Sequence, residues 1–396
     1  MNIATLMATT HTTMNTKTLI VIVGPTGSGK TDLSIRVAEH YACPIISTDS
    51  RQFYRGIPIG TAQPEREQLE RVEHHFIASH DLTDDFNCGA YEVAALGRLE
   101  ELFAKHDYVV AVGGSGLYVK ALTEGMDDLP EVEPALRSEL AERLKNEGLE
   151  ALTEQLRELD PAFYEVVDRK NPARVLRALE VCISTGKPYS SLRTGVKRQR
   201  PFNIVKIGVN MDRAVLYERI DRRVDIMVEM GLEQEARDVY HLRHLNSLQT
   251  VGYREMFDYF DGTVSREEAI DLIKRNSRRY AKRQLTWFGR DDEIKWFLPS
   301  ETEKIVESSD KYTTEDGKDV VYAYHVVVGS FSSRANATNL SIELNKTGVK
   351  ATVARNQNGL YRVFYYSTDN EPEVRQVLAK ARKKYPDAWM LKLVAR

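Results

Sequence analysis

The sequence is poor in the features that mark several specialised classes of protein. Only 3 of its 396 residues are cysteine (Cys43, Cys88 and Cys182), and no two of them form a Cys-x-x-Cys pair. An odd number of widely spaced cysteines argues against a disulfide framework and fits a reducing compartment. No apolar run approaches the roughly 18 residues that a membrane helix needs, and residues 1–18 lack the pattern of a signal peptide. We therefore expect a cytoplasmic protein that binds no membrane.

The composition is that of a folded chain with more than one domain. Hydrophobic residues make up 42 % and charged residues 29 %, while Gly 23 and Pro 13 are too few for a collagenous or low-complexity chain. The formal net charge is −3, but the charge is unevenly distributed. Residues 1–319 carry 43 basic and 53 acidic side chains, whereas residues 320–396 carry 12 and 5. The C-terminal segment is therefore a separate, basic unit.

The first part of the chain alternates apolar runs with helical segments. TLIVIV (residues 18–23) leads directly into GPTGSGKT and a helical stretch, and the runs PIIST and YVVAVGG also end in turns. Continuous apolar strands between helices indicate a parallel sheet that is covered on both faces. We predict an α/β fold over residues 18–300, with a P-loop NTPase-like parallel sheet and helices on both faces.

Four further segments complete the predicted organisation. Residues 1–17 are rich in Thr and predict a disordered extension, and residues from about 127 to 195 have no strand pattern and predict an inserted helical lobe. Residues 301–321 are polar without periodicity and predict a linker. Residues 322–396 predict an α+β domain of order βαββαβ, in which Asn358 and Gly359 mark a hairpin turn.

The strongest chemical motif is a phosphate loop between the first strand and the first helix. It fits G-x-x-x-x-G-K-[ST], in which glycines let the backbone N–H groups wrap a phosphate, the lysine neutralises it and the final hydroxyl can bind Mg²⁺. Thr31 is the expected metal ligand. The loop residues are Gly24, Pro25, Thr26, Gly27, Ser28, Gly29, Lys30 and Thr31.

A carboxylate follows the second apolar run. Nucleotide-hydrolysing enzymes and kinases with this loop usually place an aspartate after a further strand, but the third run ends in VVAVGGSG without one. Asp49 stands at the end of the second run, and the carboxyl ends of parallel strands meet where ligands bind. It is a candidate general base; the alternative is a cap for the following turn.

Five ordered motifs resemble the tRNA dimethylallyltransferase (tRNA isopentenyltransferase) family. They are GPTGSGKT, STDSRQFYRGIPIGTAQP, VGGSGLYVKAL, TVGYREM and AKRQLTWF, and they span residues 18–300. The resemblance implies an enzyme that moves a dimethylallyl group from dimethylallyl diphosphate to the exocyclic amine (N6) of the adenosine 3′-adjacent to a tRNA anticodon. It implies Mg²⁺ as cofactor, an anticodon stem-loop as partner, and diphosphate rather than ATP in the loop.

The resemblance also implies roles for individual residues. Asp49 matches the base, Thr26 matches a residue near the diphosphate, and Arg219 matches an arginine that assists the leaving group, although Arg222 and Arg223 are close to it in sequence. Ser115 stands where the family commonly has threonine. The residues that match the tRNA side are Asp49, Ser50, Arg51, Gln52, Ser115, Arg137, Arg174, Arg177, Gln249, Thr250, Val251, Gly252, Tyr253 and Arg254.

The C-terminal segment resembles a different family. Its order and its opening, YHVVVGSFSSRANATNL, are similar to a SPOR domain, a module generally associated with peptidoglycan. Its positive charge would also suit a phosphate backbone, so peptidoglycan and RNA both remain open as ligands. We expect an accessory domain on an enzyme that is a monomer.

Two other functions remain open at the level of the sequence. A small-molecule kinase would use the same loop for ATP and Asp49 as base toward a hydroxyl group. A non-catalytic RNA-binding protein would keep the loop as a relic. The neighbouring histidines His74, His75 and His80 are expected to be structural rather than metal ligands. In the basic helix around residue 280, Trp287 and Phe288 are expected to belong to the core.

Overall fold

A computed structural model describes most of the chain. The described residues are 17–299, 312–314, 320, 322–331, 333–356, 361–386 and 388–393. The predicted disordered extension, apart from Lys17, and the predicted turn at Asn358 and Gly359 lie outside the described residues. The described residues up to Leu122 and from Pro201 onward form one compact unit, and Thr123–Arg200 form a second.

A parallel sheet lies at the centre of the first unit. Its order is β3-β2-β4-β1-β5-β6, and each neighbouring pair runs parallel. The prediction of a parallel α/β sheet is confirmed. The strands are β1 (Thr18–Val23), β2 (Ile45–Ser47), β3 (His74–His75), β4 (Tyr108–Gly113), β5 (Asn203–Val209) and β6 (Lys295–Phe297).

Alternation along the central strand β1 builds a core on both faces of this sheet. Leu19, Val21 and Val23 belong to one buried apolar cluster, whereas Ile20 and Ile22 belong to another. Successive side chains of a strand point to opposite faces, so one continuous apolar strand supplies both layers. This is why the run TLIVIV shows no polar alternation.

The helices that precede the second unit flank this sheet. The first of them begins directly after Gly29, which has φ 86°, and ends where Ala42 adopts a left-handed conformation. The third is capped by Asn87, whose side chain accepts hydrogen bonds from the N–H groups of Gly89 and Ala90. These helices are α1 (Lys30–Tyr41), α2 (Arg66–Arg71), α3 (Cys88–Phe103) and α4 (Gly116–Glu124).

The second unit is helical. Its longest helix is broken at Gly148, which has φ 82°, and Asp160 joins two shorter helices by accepting hydrogen bonds from Phe163 N (3.0 Å) and Ser190 N (2.6 Å). The helices are α5 (Pro134–Leu159), α6 (Pro161–Val166), α7 (Pro172–Thr185) and α8 (Tyr189–Leu192). Leu152, Leu156 and Val175 are fully buried in its core.

Four more helices follow β5 in the first unit. The last of them starts with a capping box in which Ser265 and Glu268 bond each other's backbone N–H groups. Phe288 near its end is buried, as predicted, but Trp287 is 40 % exposed and packs over Gly116, where a side chain would collide with the indole. The helices are α9 (Arg213–Glu229), α10 (Leu232–Asp238), α11 (Tyr253–Phe260) and α12 (Arg266–Phe288), with 3₁₀ turns at Tyr240–Leu242 and Asn246–Leu248.

The C-terminal domain, defined here as the described residues from Tyr312 onward, has an antiparallel sheet with the order β11-β8-β10-β9-β7. The predicted α+β layout is confirmed, with one addition. Tyr312–Thr314 pair with β9 although they fall inside the predicted linker, because three residues at an edge need no apolar period to join a sheet. The elements are β7 (Tyr312–Thr314), β8 (Tyr324–Phe331), α13 (Arg334–Lys346), β9 (Thr352–Asn356), β10 (Tyr361–Thr368), α14 (Glu371–Ala381) and β11 (Trp389–Lys392).

Two of the three histidines predicted to be structural lie in the parallel sheet, and the ring of the third, His80, stacks on Phe86. His74 and His75 form β3, and Ile45 and Ile46 of β2 pair with them. Within the described ranges, no group of three or more His, Cys, Asp or Glu side chains is arranged to hold a metal ion. In the same part of the chain, no helix is both long and apolar enough to cross a membrane.

Candidate active site

The loop between β1 and α1 depends on glycine at several positions. Gly27 and Gly29 have φ 81° and 86°, and a Cβ on Gly24 would lie 2.5 Å from the carbonyl oxygen of Val209. Ser28 in the same loop is fully buried, and its Oγ has no hydrogen-bond partner among the described residues. A closely wrapped backbone with an unsatisfied buried hydroxyl is suited to an oxyanion.

Gln284 of α12 holds this loop against the end of β4. Its Oε1 accepts a hydrogen bond from the N–H of Thr26 (2.9 Å), and its Nε2 donates to the carbonyl oxygen of Gly114 (2.9 Å). The side chain is 4 % exposed, so both bonds are shielded from water. The loop conformation therefore depends on a helix more than 250 residues away in sequence.

Asp49 lies just beyond the end of β2, as the sequence predicts. Strand β2 reaches β1 through β4, and a Cβ on Gly113 at the end of β4 would lie 2.6 Å from the carbonyl carbon of Thr48. The missing side chain lets the two strand ends approach. The Asp49 carboxylate accepts a hydrogen bond from the N–H of Arg51 (3.1 Å), so the capping role that we considered is also present.

A cavity of about 330 Å³ opens where these strand ends and helices meet. It brings together most of the predicted residues of the first unit. Those that line it are Thr26, Lys30, Thr31, Asp49, Ser50, Arg51, Gln52, Gln249, Thr250, Val251, Gly252 and Arg254.

Partly buried charges of both signs face this cavity. Burial lowers the pKa of Lys30 to about 8, with Asp49 opposing and Arg223 reinforcing the shift. Burial also lowers the pKa of Arg223, again against the attraction of Asp49. The described lining of the cavity carries five cationic side chains, Lys30 and Arg223 among them, and one carboxylate, Asp49. This excess of positive charge favours a polyanionic ligand.

Arg223 rather than Arg219 lines the cavity. Its Nη1 lies 3.5 Å from the Thr26 hydroxyl, whereas the Arg219 guanidinium lies outside the lining near Gly29, where an added Cβ would be 3.9 Å from Nη2. Both residues are on α9, four positions apart and therefore on the same side of the helix. Both guanidinium groups are close to the loop, but Arg223 is the one exposed to a ligand in the cavity.

Ser115 acts on the site through two neighbours. Its Oγ accepts a hydrogen bond from the N–H of Ser50 (3.0 Å) and lies 3.1 Å from the Ser50 hydroxyl. The Tyr280 hydroxyl also bonds Ser115, and burial, followed by the nearby Asp49, raises the pKa of Tyr280 to about 12. The serine hydroxyl, which a threonine would also supply, therefore takes part in hydrogen bonds to both neighbours.

Tyr253 supports the rim of the cavity from behind. It is fully buried, and its hydroxyl donates to Glu235 Oε1 (2.5 Å). The same carboxylate accepts hydrogen bonds from the backbone N–H groups of Ile59 and Gly60, both at 2.8 Å. The predicted tRNA-side residue Tyr253 therefore fixes the loop around Gly60 and does not itself line the cavity.

The three remaining predicted residues, Arg137, Arg174 and Arg177, lie in the second unit. Arg177 Nη1 donates to Glu180 Oε2 (3.1 Å), and Arg137 Nε lies 3.6 Å from the same oxygen. Arg174 is exposed in the first turn of α7. Arg137 and Arg177 are therefore neighbours that share one carboxylate.

One face of α12 supplies cavity residues that the sequence motifs did not indicate. Ile273, Ser277, Tyr280 and Gln284 line the cavity together with Arg283. Their spacing of four, three and four residues is the period of a helix face. That stripe was the available signal, but a mixed polar and apolar stripe in a basic helix does not by itself distinguish a cavity wall from a solvated surface.

Comparison with known proteins identifies two families in the chain. Residues 52–291 match the IPP transferase family, and residues 321–392 match the SPOR domain. A tRNA dimethylallyltransferase of Cytophaga hutchinsonii is 52 % identical over 289 residues, which is 73 % of this chain and 95 % of that protein. The tRNA dimethylallyltransferase 1 of Phocaeicola vulgatus is 51 % identical over 290 residues, covering 73 % of this chain and 97 % of its own length.

Two solved structures resemble this one. The tRNA isopentenylpyrophosphate transferase of Bacillus halodurans has a TM-score of 0.54 and 39 % identity, covering 73 % of this chain and 94 % of that one. A eukaryotic dimethylallyltransferase acting on tRNA has a TM-score of 0.61 at 23 % identity, covering 84 % of this chain and 98 % of that one, and supports the fold alone.

The lowered pKa of Lys30 predicts a pH dependence of anion binding. Lys30 loses its charge as the pH rises through about 8 in the free protein. Relative to Lys30→Arg, whose guanidinium stays charged, the wild-type affinity for inorganic diphosphate should fall by up to about tenfold per pH unit above that point. Titration calorimetry at several pH values on both proteins measures this ratio. A ratio that stays constant with pH would contradict the predicted titration of Lys30 in the binding site.

Proposed function

The chain belongs to the IPP transferase family, and on that premise we propose that its cavity transfers a dimethylallyl group from dimethylallyl diphosphate to tRNA, with release of diphosphate. The family and the enzyme class predicted from the five motifs are confirmed. The proposal places the transfer on N6 of the adenosine 3′-adjacent to the anticodon. The observation that carries it is the cavity in which Lys30 and Arg223 lie beside Asp49, the one carboxylate of its described lining.

The cations of the cavity are suited to the leaving group. Cleavage of the allylic C–O bond develops positive charge on carbon and negative charge on the departing diphosphate. Lys30, Arg223 and the N–H groups of the loop are fixed before the reaction, so they stabilise that negative charge without reorganising. Their burial strengthens each interaction because little water screens it.

Asp49 is suited to the nucleophile. The lone pair of the adenine amine is delocalised into the ring, which makes the amine a weak nucleophile. As the N–C bond forms and the C–O bond breaks, the amine must lose one proton, and the Asp49 carboxylate accepts it. Arg51 N–H orients this carboxylate through its Oδ1, and the second carboxylate oxygen can face the substrate.

The residues present also fit Mg²⁺. Thr31, the predicted metal ligand, lines the cavity, and hydroxyl and phosphate oxygens are ligands that Mg²⁺ accepts. When bound, the ion would neutralise part of the diphosphate charge. We further propose that the reaction requires Mg²⁺ and that the protein is a monomer in the cytoplasm.

The rim of the cavity is suited to an extruded base. An adenosine in an anticodon loop must be unstacked before its amine can enter, which costs a few kcal/mol that contacts to RNA must offset. Arg51 donates to the carbonyl oxygens of Asn246 and Ser247 (2.7 and 3.1 Å) and thereby joins the loop after β2 to the segment before α11. We assign the basic side chains Arg137, Arg174 and Arg177 of the second unit to the tRNA as well.

Replacing the proposed base tests the chemistry. Asp49→Asn keeps the side-chain oxygen that caps Arg51 but cannot accept the amine proton, so turnover should fall by about 10²-fold or more while diphosphate binding persists. The assay incubates the protein with unmodified tRNA, Mg²⁺ and either labelled dimethylallyl diphosphate or labelled ATP.

The matched control for this assay is Asp107→Asn, which changes an exposed carboxylate paired with Lys17 and should leave turnover unchanged. Wild-type turnover in Asp49→Asn would refute the base assignment. Label transfer from ATP to a small molecule, with tRNA left unmodified, would refute the proposed function and support the kinase.

The position of Arg223 predicts an asymmetry between two neighbouring arginines. Arg223→Ala removes a buried cation from the cavity wall and should lower kcat/KM for dimethylallyl diphosphate by about 10²-fold. Arg219→Ala, on the same face of α9 but outside the lining, should lower it by less than about tenfold. Steady-state kinetics on the two variants measure both losses. A larger loss of kcat/KM in Arg219→Ala than in Arg223→Ala would show that Arg219 assists the leaving group.

A further inference from the structure

The sheet of the C-terminal domain has two faces, and its own helices cover one of them. Val326 and Met390 pack with Val374 and Leu378 of α14, and Val363 packs with residues of α13. A sheet with helices on one side must cover its other face or leave it to solvent or a ligand. The second face, called here the helix-free face, is therefore where a partner would be sought.

That face is buried against the rest of the first unit. Its residues belong to the same apolar cluster as Ile20 and Ile22 of β1 and Leu33 of α1. The C-terminal members of the cluster are Tyr312, Val327, Ala354, Phe364, Trp389 and Leu391. The residues next to these in sequence, such as Val326 and Met390, pack against the helices instead. Side chains therefore alternate between the two faces of the sheet, as in any strand.

A buried arginine marks the centre of the contact. Arg362 of β10 is fully buried and donates through Nη2 to the ring Nδ1 of His40, near the end of α1, and lies 3.5 Å from the His40 carbonyl oxygen. Its guanidinium lies over the rings of Trp389 (4.7 Å) and Tyr312 (5.4 Å). Burial, with Arg362 adding to it, lowers the pKa of His40, so the neutral imidazole is available as acceptor.

Docking this face leaves part of the Arg362 guanidinium without hydrogen bonds to described residues, a cost that the surrounding ring and apolar contacts must offset. Arg362 Nε and Nη1 have no hydrogen-bond partner among the described residues, and the rings of Trp389 and Tyr312 supply the compensation. In an undocked domain, the aromatic and aliphatic side chains of the helix-free face would form an exposed apolar patch.

We propose that the helix-free face is a permanent docking surface for α1, so that the C-terminal domain braces the helix that carries Lys30. On this reading, the domain is a fixed part of the enzyme rather than a tethered module that offers this face to an external ligand. The coupling runs along one helix, because α1 begins with Lys30 at the phosphate loop and ends beyond His40 at Tyr41.

The first test places a charge at two positions of the helix-free face in the full chain. Leu391 is fully buried, whereas Thr352 is exposed although it pairs directly with Phe364 on the same face. If the face is docked, Leu391→Lys lowers Tm by about 5 °C or more, and the matched control Thr352→Lys shifts it by less than about 1 °C. Equal shifts in the two variants would overturn the proposal.

The second test substitutes a residue of α1 and measures hydrogen exchange in the C-terminal domain. An effect across the contact cannot come from a local disturbance at the substituted residue. His40→Ala should raise amide hydrogen exchange about tenfold in Tyr361–Thr368 while leaving exchange in Glu371–Ala381 unchanged. His244→Ala, an exposed histidine elsewhere in the first unit, should change neither segment. Unchanged exchange in Tyr361–Thr368 of His40→Ala would refute the docking even if Leu391→Lys fails to fold.

A third measurement addresses the external ligand that the SPOR resemblance suggests. The full chain is mixed with purified peptidoglycan sacculi and sedimented, together with both lysine variants. Because the face is occupied, it should contribute nothing to binding, so we expect Leu391→Lys to leave the sedimented fraction of the chain unchanged. Sedimentation of the wild-type chain that Leu391→Lys abolishes and Thr352→Lys preserves would show an open face and overturn the proposal.

Discussion

The site depends on the burial of two cations beside one carboxylate. Lys30 and Arg223 each lie where burial opposes their charge, and Asp49 offsets only part of that cost. A ligand that brings several negative charges removes the imbalance, so binding energy is available for holding diphosphate and for stabilising it as it departs. In the proposed reaction, the same carboxylate also accepts the proton that the amine loses. A single local charge arrangement therefore links substrate binding to both halves of the proposed reaction.

Small residues and one amide make this arrangement geometrically feasible. Gly113 lets the end of β4 pass against Thr48, which brings Asp49 toward the phosphate loop across the intervening strand. Gln284 then fixes the loop to Gly114 from α12. A parallel sheet places all strand ends at one edge, but their distance is set by these contacts. The precision of the site therefore comes from residues that take no part in the chemistry.

The sequence predicted the parallel sheet, the phosphate loop and Asp49 because each is encoded within a few neighbouring residues. Gln284, Tyr280 and Glu235 escaped prediction because their roles arise from contacts across long stretches of chain, and buried amide, phenol and carboxylate groups look like ordinary helix residues in sequence. The choice between Arg219 and Arg223 was open for a related reason. Both lie on one side of α9, and only the position of the helix against the loop distinguishes them.

The C-terminal domain shows the same limit at the level of domains. The apolar pattern of its strands predicted a sheet, but that pattern does not distinguish a second face that meets solvent or a ligand from one that packs on the rest of the chain. Arg362 looked like one more charge of a basic segment, whereas the structure buries it against His40 and two aromatic rings. Net charge is thus a poor guide to the ligand here, because one of the cations that would attract a phosphate backbone is buried inside the protein. The burial of Arg362 argues for an internal role of that face and leaves the outer surface, including α13 and α14, for any external partner.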